Sequence, residues 1–283
     1  MAQSITNAFV TLFDAEVKQA YQADSVLRGA VRLRSGVQGN TYKFPKLGKG
    51  SATSRIPQTD VTPLNVTYSQ VSCTMSDYNA AEYSDVFHQA KVNFDERSEL
   101  VQVVSKAIGR RLDQLIIDAL DGASSPSTVA KTVVTSGSAA SSNLNVGKLI
   151  ASKKALDAKN VPFDDRHLVC HANSLAGMLG DERAISGDYA SIKALVSGEI
   201  NTFLGFKFHV VGDRDEGGLP LSTADRSVFA FHRSALGMAE NMSMKTEINY
   251  VPEKTSFLVN SMFSAGSVAI DDEGIVDITC DES

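Results

Sequence analysis

Residues 95–122 read DERSELVQVVSKAIGRRLDQLIIDALDG, and this stretch decides the fold. Its apolar side chains recur every three or four residues, as they do along one face of an α-helix. They are Leu100, Val104, Ala107, Ile108, Leu112, Leu115, Ile116 and Ala119. The pattern predicts one helix that begins at Asn93 or Asp95 and ends at Leu120, with Gly122 as a natural residue of the C-terminal cap. At 1.5 Å per residue such a helix is about 40 Å long, the length of a whole domain.

The segment before this helix predicts a β-hairpin with a long tip. Residues 41–45 read TYKFP and alternate like a short strand, in which the proline favours a sheet edge. Apolar positions alternate again over residues 66–75, with a slip near Ser69 that would suit a β-bulge. The stretch at 47–60 is rich in Gly, Ser, Thr and Pro and predicts a polar loop. A loop of this length in a compact domain is typical of a functional segment.

Charge distinguishes this hairpin from the helix that follows it. Between positions 43 and 62 its basic residues are Lys43, Lys46, Lys49 and Arg55, against Asp60 alone. The start of the helix instead carries three acidic residues, where the helix dipole favours them: Asp95, Glu96 and Glu99. The hairpin is either a solvated loop or a strap that reaches an acidic surface on another copy of the chain. As a strap, its cations would steer and register assembly more than they add affinity.

Two segments precede the hairpin. Residues 4–23 place five large apolar side chains at helical spacing: Ile5, Phe9, Leu12, Phe13 and Val17. The spacing predicts an amphipathic helix that packs on its own domain or docks on a neighbouring subunit. Residues 28–39 contain three arginines and three glycines and predict an exposed, mobile connection.

The chain after the long helix alternates helix and strand. Residues 124–142 are rich in small polar residues and contain one strand candidate, at 132–134. The predicted elements that follow are helices at 146–158, 175–179 and 189–196, strands at 166–171 and 228–231, a hairpin over 200–211 that turns at Gly205, and a charged loop over 213–224. The tail predicts strands at 242–250, 257–262, 267–270 and 275–279. The fold class is therefore α+β.

Composition excludes several classes of protein. The chain has 283 residues, with 27 basic and 33 acidic side chains and a net charge of −6, which argues against a dedicated nucleic-acid binder. The three cysteines, Cys73, Cys170 and Cys280, form neither a disulfide framework nor a CxxC metal pair. The sequence starts without the apolar run of a signal peptide, and no stretch approaches the ~20 apolar residues of a membrane span. We therefore expect neither secretion, nor membrane insertion, nor a zinc fold.

A search for catalytic chemistry yields no site. His167 and His171 flank Cys170, but the run 166–171 predicts a strand, which sets the two rings about 13 Å apart, too far for one metal ion. The chain has neither a Gly-x-Ser-x-Gly elbow nor a complete phosphate-binding loop. The run of Asp213, Arg214, Asp215 and Glu216 lacks the spacing of a calcium loop and predicts a solvated charged loop. No catalytic residue, metal or cofactor is expected.

The order of these elements resembles that of the major capsid proteins of tailed bacteriophages, which have the Hong Kong 97-like fold, in their podovirus-type variant. Local stretches resemble the family as well: TYKFPKLG (41–48) at the start of the extended loop, NVPFDDRHLV (160–169) and LGFKF (204–208) in the axial domain, FAFHRSA (229–235) at the return to the peripheral domain, and GIVDI (274–278) near the end. The resemblance covers nearly the whole chain, and the combination of motifs carries it.

The resemblance implies a division of the chain. Its parts would be an N-terminal arm (1–40), an extended-loop hairpin (41–75), a peripheral domain (76–142 and 236–283, with the spine helix at about 94–121) and an axial domain (143–235). It also implies hexamers and pentamers of an icosahedral shell around double-stranded DNA. The basic hairpin would then be the strap between subunits, and the loop at 213–216 would be the capsomer tip.

The resemblance further implies partners. Only about forty residues precede the hairpin, too few for a fused scaffolding segment, so we expect a separate scaffolding protein, together with a portal and, as a further candidate, a decoration protein. Contacts with packaged DNA would be non-specific. The protein would reside in the virion capsid after assembly in the cytoplasm of a host bacterium, without contact with a membrane.

Two alternatives stay open at this point. An encapsulin-type bacterial compartment shell protein shares the fold but encloses an enzyme, and the neighbouring genes would distinguish it from a phage protein. An α+β enzyme with an unrecognised site would elute as a small oligomer, whereas a shell protein forms particles of megadalton mass.

Overall fold

The computed structural model describes residues 22–91, 95–135, 137, 140–179, 202–214 and 216–282. The amphipathic helix predicted at 4–23 lies almost entirely outside the described residues. The helix predicted at 189–196 lies wholly outside them.

The described residues form four α-helices and thirteen strands. The helices are α1 (Val86–Gln89), α2 (Glu96–Asp121), α3 (Val146–Ala158) and α4 (Ala172–Leu179). The strands are β1 (Arg32–Ser35), β2 (Thr41–Leu47), β3 (Tyr68–Thr74), β4 (Ser76–Asp85), β5 (Ser127–Val129), β6 (Arg166–His171), β7 (Thr202–Phe203), β8 (Phe206–Val211), β9 (Leu221–Ser222), β10 (Asp225–His232), β11 (Leu236–Val251), β12 (Ser256–Ala269) and β13 (Ile275–Asp281).

A four-stranded sheet supports the long helix α2. Its strand order is β1-β11-β12-β4, in which β1 runs parallel to β11 and the other neighbours are antiparallel. Helix α2 lies across β12, β4 and β11. The side chains that it buries include Val104, Ile108, Leu112 and Ile116, all from the stripe that the sequence predicts. The amphipathic spacing therefore determines which face of α2 contacts the sheet.

A seven-stranded sheet forms the other part of the molecule. Its order is β5-β13-β10-β6-β8-β7, with β9 beside β10. Helix α3 covers one face, where its Leu149 and Leu156 share a core with Leu168 and Ile278. Residues of the same sheet, among them Phe229, also enter the core that contains α2 and strand β12. One continuous core thus connects the two sheets.

The strand β13 lies in the larger sheet, although its residues fall in the segment that the resemblance assigns to the peripheral domain. It pairs with β10 from Asp225↔Asp281 to Phe231↔Ile275. The sheet therefore takes strands from both sides of the predicted boundary, and the division into axial and peripheral domains stays a prediction.

Several sequence predictions agree with the structure. Helix α2 begins at Glu96, with Asp95 in the N-cap position, and ends at Asp121. The hairpin of β2 and β3 occupies the predicted residues. The turn between β7 and β8 contains Leu204 and Gly205 with φ angles of 52° and 88°, a left-handed pair typical of a tight hairpin.

Other sequence predictions are wrong. Residues 28–39 are largely exposed, as predicted, but they are not a loop throughout, because the residues after the buried Ala30 and Val31 form β1 beside β11. The strand in 124–142 lies at β5, where β13 offers a parallel partner, rather than at 132–134. The predicted strands at 257–262 and 267–270 are one strand, β12. Gly122, by contrast, lies in the C-cap position of α2, as predicted, with a φ of −78°.

The predicted β-bulge near Ser69 is also absent from the hairpin. Strands β2 and β3 pair without a shift from Thr41↔Thr74 to Leu47↔Tyr68. Ser69 and Gln70 are exposed, so their side chains need not follow the alternation of the buried half. The slip in the apolar pattern therefore reflects exposure rather than register.

Candidate assembly surfaces

The hairpin of β2 and β3 has a buried base and an exposed tip. At the base, Phe44 and Cys73 are almost completely buried against Ala239 and Ile270. Beyond the base, five large apolar side chains are each more than half exposed: Leu47, Ile56, Val61, Leu64 and Tyr68. A concentration of exposed apolar side chains on one projecting segment is typical of a surface that contacts another protein.

The cations of the hairpin divide into two groups. Lys46 Nζ lies 2.9 Å from Asp271 Oδ1, and Lys49 pairs with Glu273, both in the turn between β12 and β13 of the same chain. Lys43 and Arg55 are exposed, and neither forms an ion pair within the described residues. The structure therefore places two of the four predicted strap residues on the chain's own body.

The acidic start of α2 is partly used within the subunit. Glu96 accepts a hydrogen bond of 2.7 Å from Ser84 Oγ on β4. Asp95 is exposed, and its nearest cation is Arg97 at 3.7 Å. Glu99 is half-buried. The structure does not bring Lys43, Lys46, Lys49 or Arg55 to these carboxylates within one subunit, so a contact between copies stays a prediction.

The charged loop after β8 is anchored on α2. Arg214 Nη1 lies 3.1 Å from Asp113 Oδ2, and Arg111 Nη1 lies 3.3 Å from Glu216 Oε1. Gly217 N donates to Gln114 Oε1 at 2.6 Å, and a side chain at Gly217 would collide with the carbonyl oxygen of Arg110. The prediction of a solvated loop is therefore wrong for Arg214, which is nearly buried.

Asp213 and Asp215 are the other two residues of the predicted capsomer tip. Asp213 is exposed and lies 3.1 Å from His171 Nε2 and 3.5 Å from Arg226 Nη2. Asp215 lies outside the described residues. A role of residues 213–216 at the capsomer tip stays a prediction.

Asp113 is a buried carboxylate that the apolar spacing of the helix does not predict. It is completely buried on α2, and besides Arg214 it accepts hydrogen bonds from Ser25 Oγ at 2.8 Å and from the backbone N–H groups of Val26 and Leu27 at 3.1 Å. One carboxylate thus joins the start of the described chain, the long helix and the loop after β8. Its position three residues before Ile116 and directly after Leu112, both in the apolar stripe, is the signal that could have identified it.

A second buried carboxylate fixes the same N-terminal region. Arg28 forms two hydrogen bonds with Glu240 on β11, at 3.0 Å and 2.9 Å. Glu240 is buried and Arg28 is half-exposed, and their hydrogen bond raises the pKa of the guanidinium. This two-bond geometry holds the chain immediately before β1 in one orientation.

Two histidines form a pair on the larger sheet, in which His167 is buried and His209 is half-buried. His167 Nδ1 lies 2.9 Å from His209 Nε2, and the His167 ring stacks on Phe231. Burial, together with the charges of His209 and Lys207, lowers the pKa of His167 to about 4. Burial also lowers the pKa of His209. The sequence gives no signal of this pair, because it depends on the parallel pairing of β6 and β8.

The run 166–171 is a strand, as predicted. No group of three or more His, Cys, Asp or Glu side chains comes together as metal ligands within the described residues. The three cysteines are free and buried, and burial raises the pKa values of Cys170 and Cys280 to about 12. Among the helices described, none is long and apolar enough to span a bilayer.

Comparison with known proteins relates this geometry to one family. The sequence model of the phage capsid protein family matches residues 5–282. No curated protein matches the chain significantly.

Solved structures share the fold at low sequence identity. A chain from the head of Helicobacter pylori bacteriophage KHP40 has a TM-score of 0.80 at 11% identity, with 99% of each chain covered. A chain from the capsid of Ralstonia phage GP4 has a TM-score of 0.76 at 11% identity, covering 97% of this chain and 95% of that one. A chain from Mycobacterium phage Che8 has a TM-score of 0.73 at 17% identity, covering 97% and 98%. These likenesses show the Hong Kong 97-like fold that the sequence resemblance implies.

Proposed function

The chain belongs to the phage capsid protein family, and on that premise we propose that it is the major capsid protein, whose copies form the hexamers and pentamers of an icosahedral shell around double-stranded DNA. The match over nearly the whole chain is the observation that carries this proposal. It supports a phage capsid protein rather than an encapsulin-type compartment shell. Because the family is structural, the function that we propose is association between copies rather than catalysis.

The hairpin supports a role as the strap between subunits. Its tip exposes both apolar side chains and the cation of Arg55, while its base is fixed in the core by Phe44. The acidic start of α2, with Asp95 exposed, would receive the cations of a neighbouring copy. Several such weak contacts on each subunit would act together, since a subunit leaves the shell only when all of them release at once.

The partners follow from the same proposal. A separate scaffolding protein would guide assembly, a portal would occupy one vertex, and a decoration protein is a further candidate. Packaged DNA would meet the inner wall through non-specific contacts. The protein would be located in the virion capsid after assembly in the cytoplasm of the host bacterium, and the loop at 213–216 would lie at the capsomer tip.

Particle size tests the proposal directly. The purified protein, with and without candidate scaffolding protein, is examined by negative-stain electron microscopy and by analytical ultracentrifugation. We expect closed shells of megadalton mass. A small oligomer under every condition would contradict the proposal and favour the enzyme alternative.

Arg55→Glu tests the strap. It reverses one exposed charge in the tip, so we expect a several-fold lower yield of shells from a subunit that stays folded, because the charge no longer matches the acidic surface of its neighbour. Lys153→Glu, on the partly exposed surface of α3, makes the same change away from the hairpin and should leave the yield unchanged. A normal yield from Arg55→Glu would refute the strap.

A further inference from the structure

Two ion pairs connect the hairpin to a distant part of its own chain. Lys46 Nζ contacts Asp271 Oδ1 at 2.9 Å, and Lys49 Nζ contacts Glu273 Oε2. Each pair joins residues more than 220 positions apart in the sequence. Both lie just beyond the buried base of the hairpin, where the exposed segment of residues 48–67 begins.

The turn that carries the two carboxylates is held rigidly. The backbone N–H groups of Ile270 and Asp271 both donate to the carbonyl oxygen of Ala235, at 2.7 Å and 3.2 Å. Gly274 N donates to the carbonyl oxygen of Asp271, and an added Cβ at Gly274 would lie 2.7 Å from Ala235 Cβ. The turn therefore presents Asp271 and Glu273 in a fixed direction, at the junction of the two sheets.

The hairpin has no comparable support beyond its base. Phe44 is buried, but Leu47 and all residues from 48 to 64 are exposed. Within the described residues, Lys46 and Lys49 are the hairpin side chains that form ion pairs with the body of the subunit. Beyond the packed base, these two pairs are therefore ionic contacts that can influence the direction in which residues 48–67 leave the subunit.

We propose that Asp271 and Glu273 are positioning residues for assembly: they bind Lys46 and Lys49 of their own chain and so aim the tip of the hairpin at the neighbouring subunit. This inference rests on the proposed shell-forming function. It differs from the strap prediction, because it assigns Lys46 and Lys49 to the hairpin's own subunit and leaves Arg55 and the apolar tip for the neighbour.

We call the ion pairs Lys46–Asp271 and Lys49–Glu273 the guide, and both pairs are weak enough for the direction of the tip to change. All four side chains are at least one-third exposed, so water and salt weaken both pairs. Exposed pairs of this kind favour the paired state by a few-fold each. Such a bias is enough to select one direction of the tip, and contacts with a neighbour can still adjust it.

A charge-swap experiment tests the guide. Spin labels are attached at Thr59→Cys and Lys154→Cys, which are exposed, whereas the three native cysteines are buried. Double electron–electron resonance then measures the distance distribution between tip and body in the unassembled subunit. We expect Lys49→Glu and Glu273→Lys each to broaden the distribution at least two-fold, and the double variant, which restores an ion pair with reversed charges, to narrow it again. Shell yield of the same unlabelled variants should fall in both single variants and recover in the double variant.

The two readouts separate the guide from the function on which it rests. If the single variants keep the narrow distribution, or the double variant does not restore it, the guide is refuted even when shells form normally. If the distribution follows the charge swap but even the unmodified chain forms no shells, the proposed function fails. Arg55→Glu is the matched control for the distance measurement, because Arg55 forms no ion pair with the part of the body that the structure describes, and its substitution should leave the distribution unchanged.

Discussion

At the scale of single residues, Asp113 is a charged side chain at a position of α2 where the helical pattern predicts an apolar one. Asp113 lies in the buried stripe of α2 and is completely enclosed. A buried carboxylate is tolerated only when it is paired and hydrogen-bonded. Asp113 meets this condition through Arg214, Ser25 and two backbone N–H groups, and so it orients two separate segments on the long helix.

Asp113→Asn should destabilise the subunit by about 3 kcal/mol, because it leaves the nearly buried Arg214 without its counter-ion. Urea denaturation of the unassembled subunit measures this loss. Asp118→Asn, at an exposed position of the same helix, is the control and should change stability by less than about 0.5 kcal/mol. The double variant Asp113→Asn with Arg214→Met should recover part of the lost stability, because it also removes the unpaired guanidinium. An equal loss in Asp113→Asn and in the double variant would argue against a buried ion pair.

The histidine pair predicts a dependence of stability on pH. The pKa of His167 is about 4 in the folded protein, below the ordinary value of about 6.5. Between these values the unfolded chain binds the proton more readily, so the pair's contribution is complete above about pH 6.5 and is lost as the pH falls towards 4. The charges of Lys207 and Arg233 also lower the pKa of His167, whereas the charge of Asp165 raises it.

We therefore expect the free energy of unfolding to fall by about 1–3 kcal/mol between pH 7 and pH 4.5 through this pair. Urea denaturation across that range measures the change. His167→Gln should flatten the profile, whereas His88→Gln, at an exposed position, should not. An unchanged slope in His167→Gln would show that other groups cause the acid sensitivity.

At the scale of elements, the base of the hairpin depends on two glycines in the strands beneath it. A Cβ at Gly237 of β11 would lie 2.7 Å from the ring of Phe44, and one at Gly266 of β12 would overlap the carbonyl oxygen of Thr74. The backbones of β3 and β12 therefore approach each other more closely than any other residue would allow.

Gly266→Ala should destabilise the subunit by about 1–3 kcal/mol and displace the hairpin, because a backbone oxygen cannot move aside like a flexible side chain. Thermal unfolding and shell yield measure the two effects. Gly212→Ala adds the same methyl group where no atom lies within 4 Å and is the matched control. Equal behaviour of the two variants would contradict the close approach.

The same elements show what the sequence can predict. Helix α2 and the hairpin were predictable because each is determined by spacing within about thirty residues. Strand β1 was not, since its partner Gly237 lies about two hundred positions away and its exposed arginines are typical of a loop. The sequence does not predict the ion pairs of Lys46 and Lys49 for the same reason: it shows their charge, but only the complete fold brings the turn with Asp271 and Glu273 near them.

At the scale of the whole molecule, the burial is unevenly distributed. Two sheets and α2 share one core, and α3 closes a second core on the other face of the larger sheet. The tip of the hairpin instead leaves its apolar side chains in solvent. Such a subunit can gain stability when that tip is buried against neighbouring subunits, which is consistent with a capsid protein.

The charge of the whole molecule gives the last prediction, which concerns DNA. The net charge is −6, and many cations are already paired with carboxylates, as in Arg28–Glu240, Lys131–Asp225 and Lys207–Asp165. These pairs reduce the number of cations that can neutralise phosphates, and each phosphate contact would add to the salt dependence of binding. A lining that held DNA tightly would also oppose its packing and release.

We accordingly expect unassembled subunits to bind duplex DNA no more tightly than about 1 µM at 150 mM salt, within the range of non-specific binding. Fluorescence anisotropy with labelled duplexes of two unrelated sequences measures the affinity. Because contacts with the phosphate backbone carry no sequence information, both duplexes should give the same weak binding. Nanomolar affinity with a steep salt dependence would show instead that cations which are paired in the isolated subunit become available to DNA.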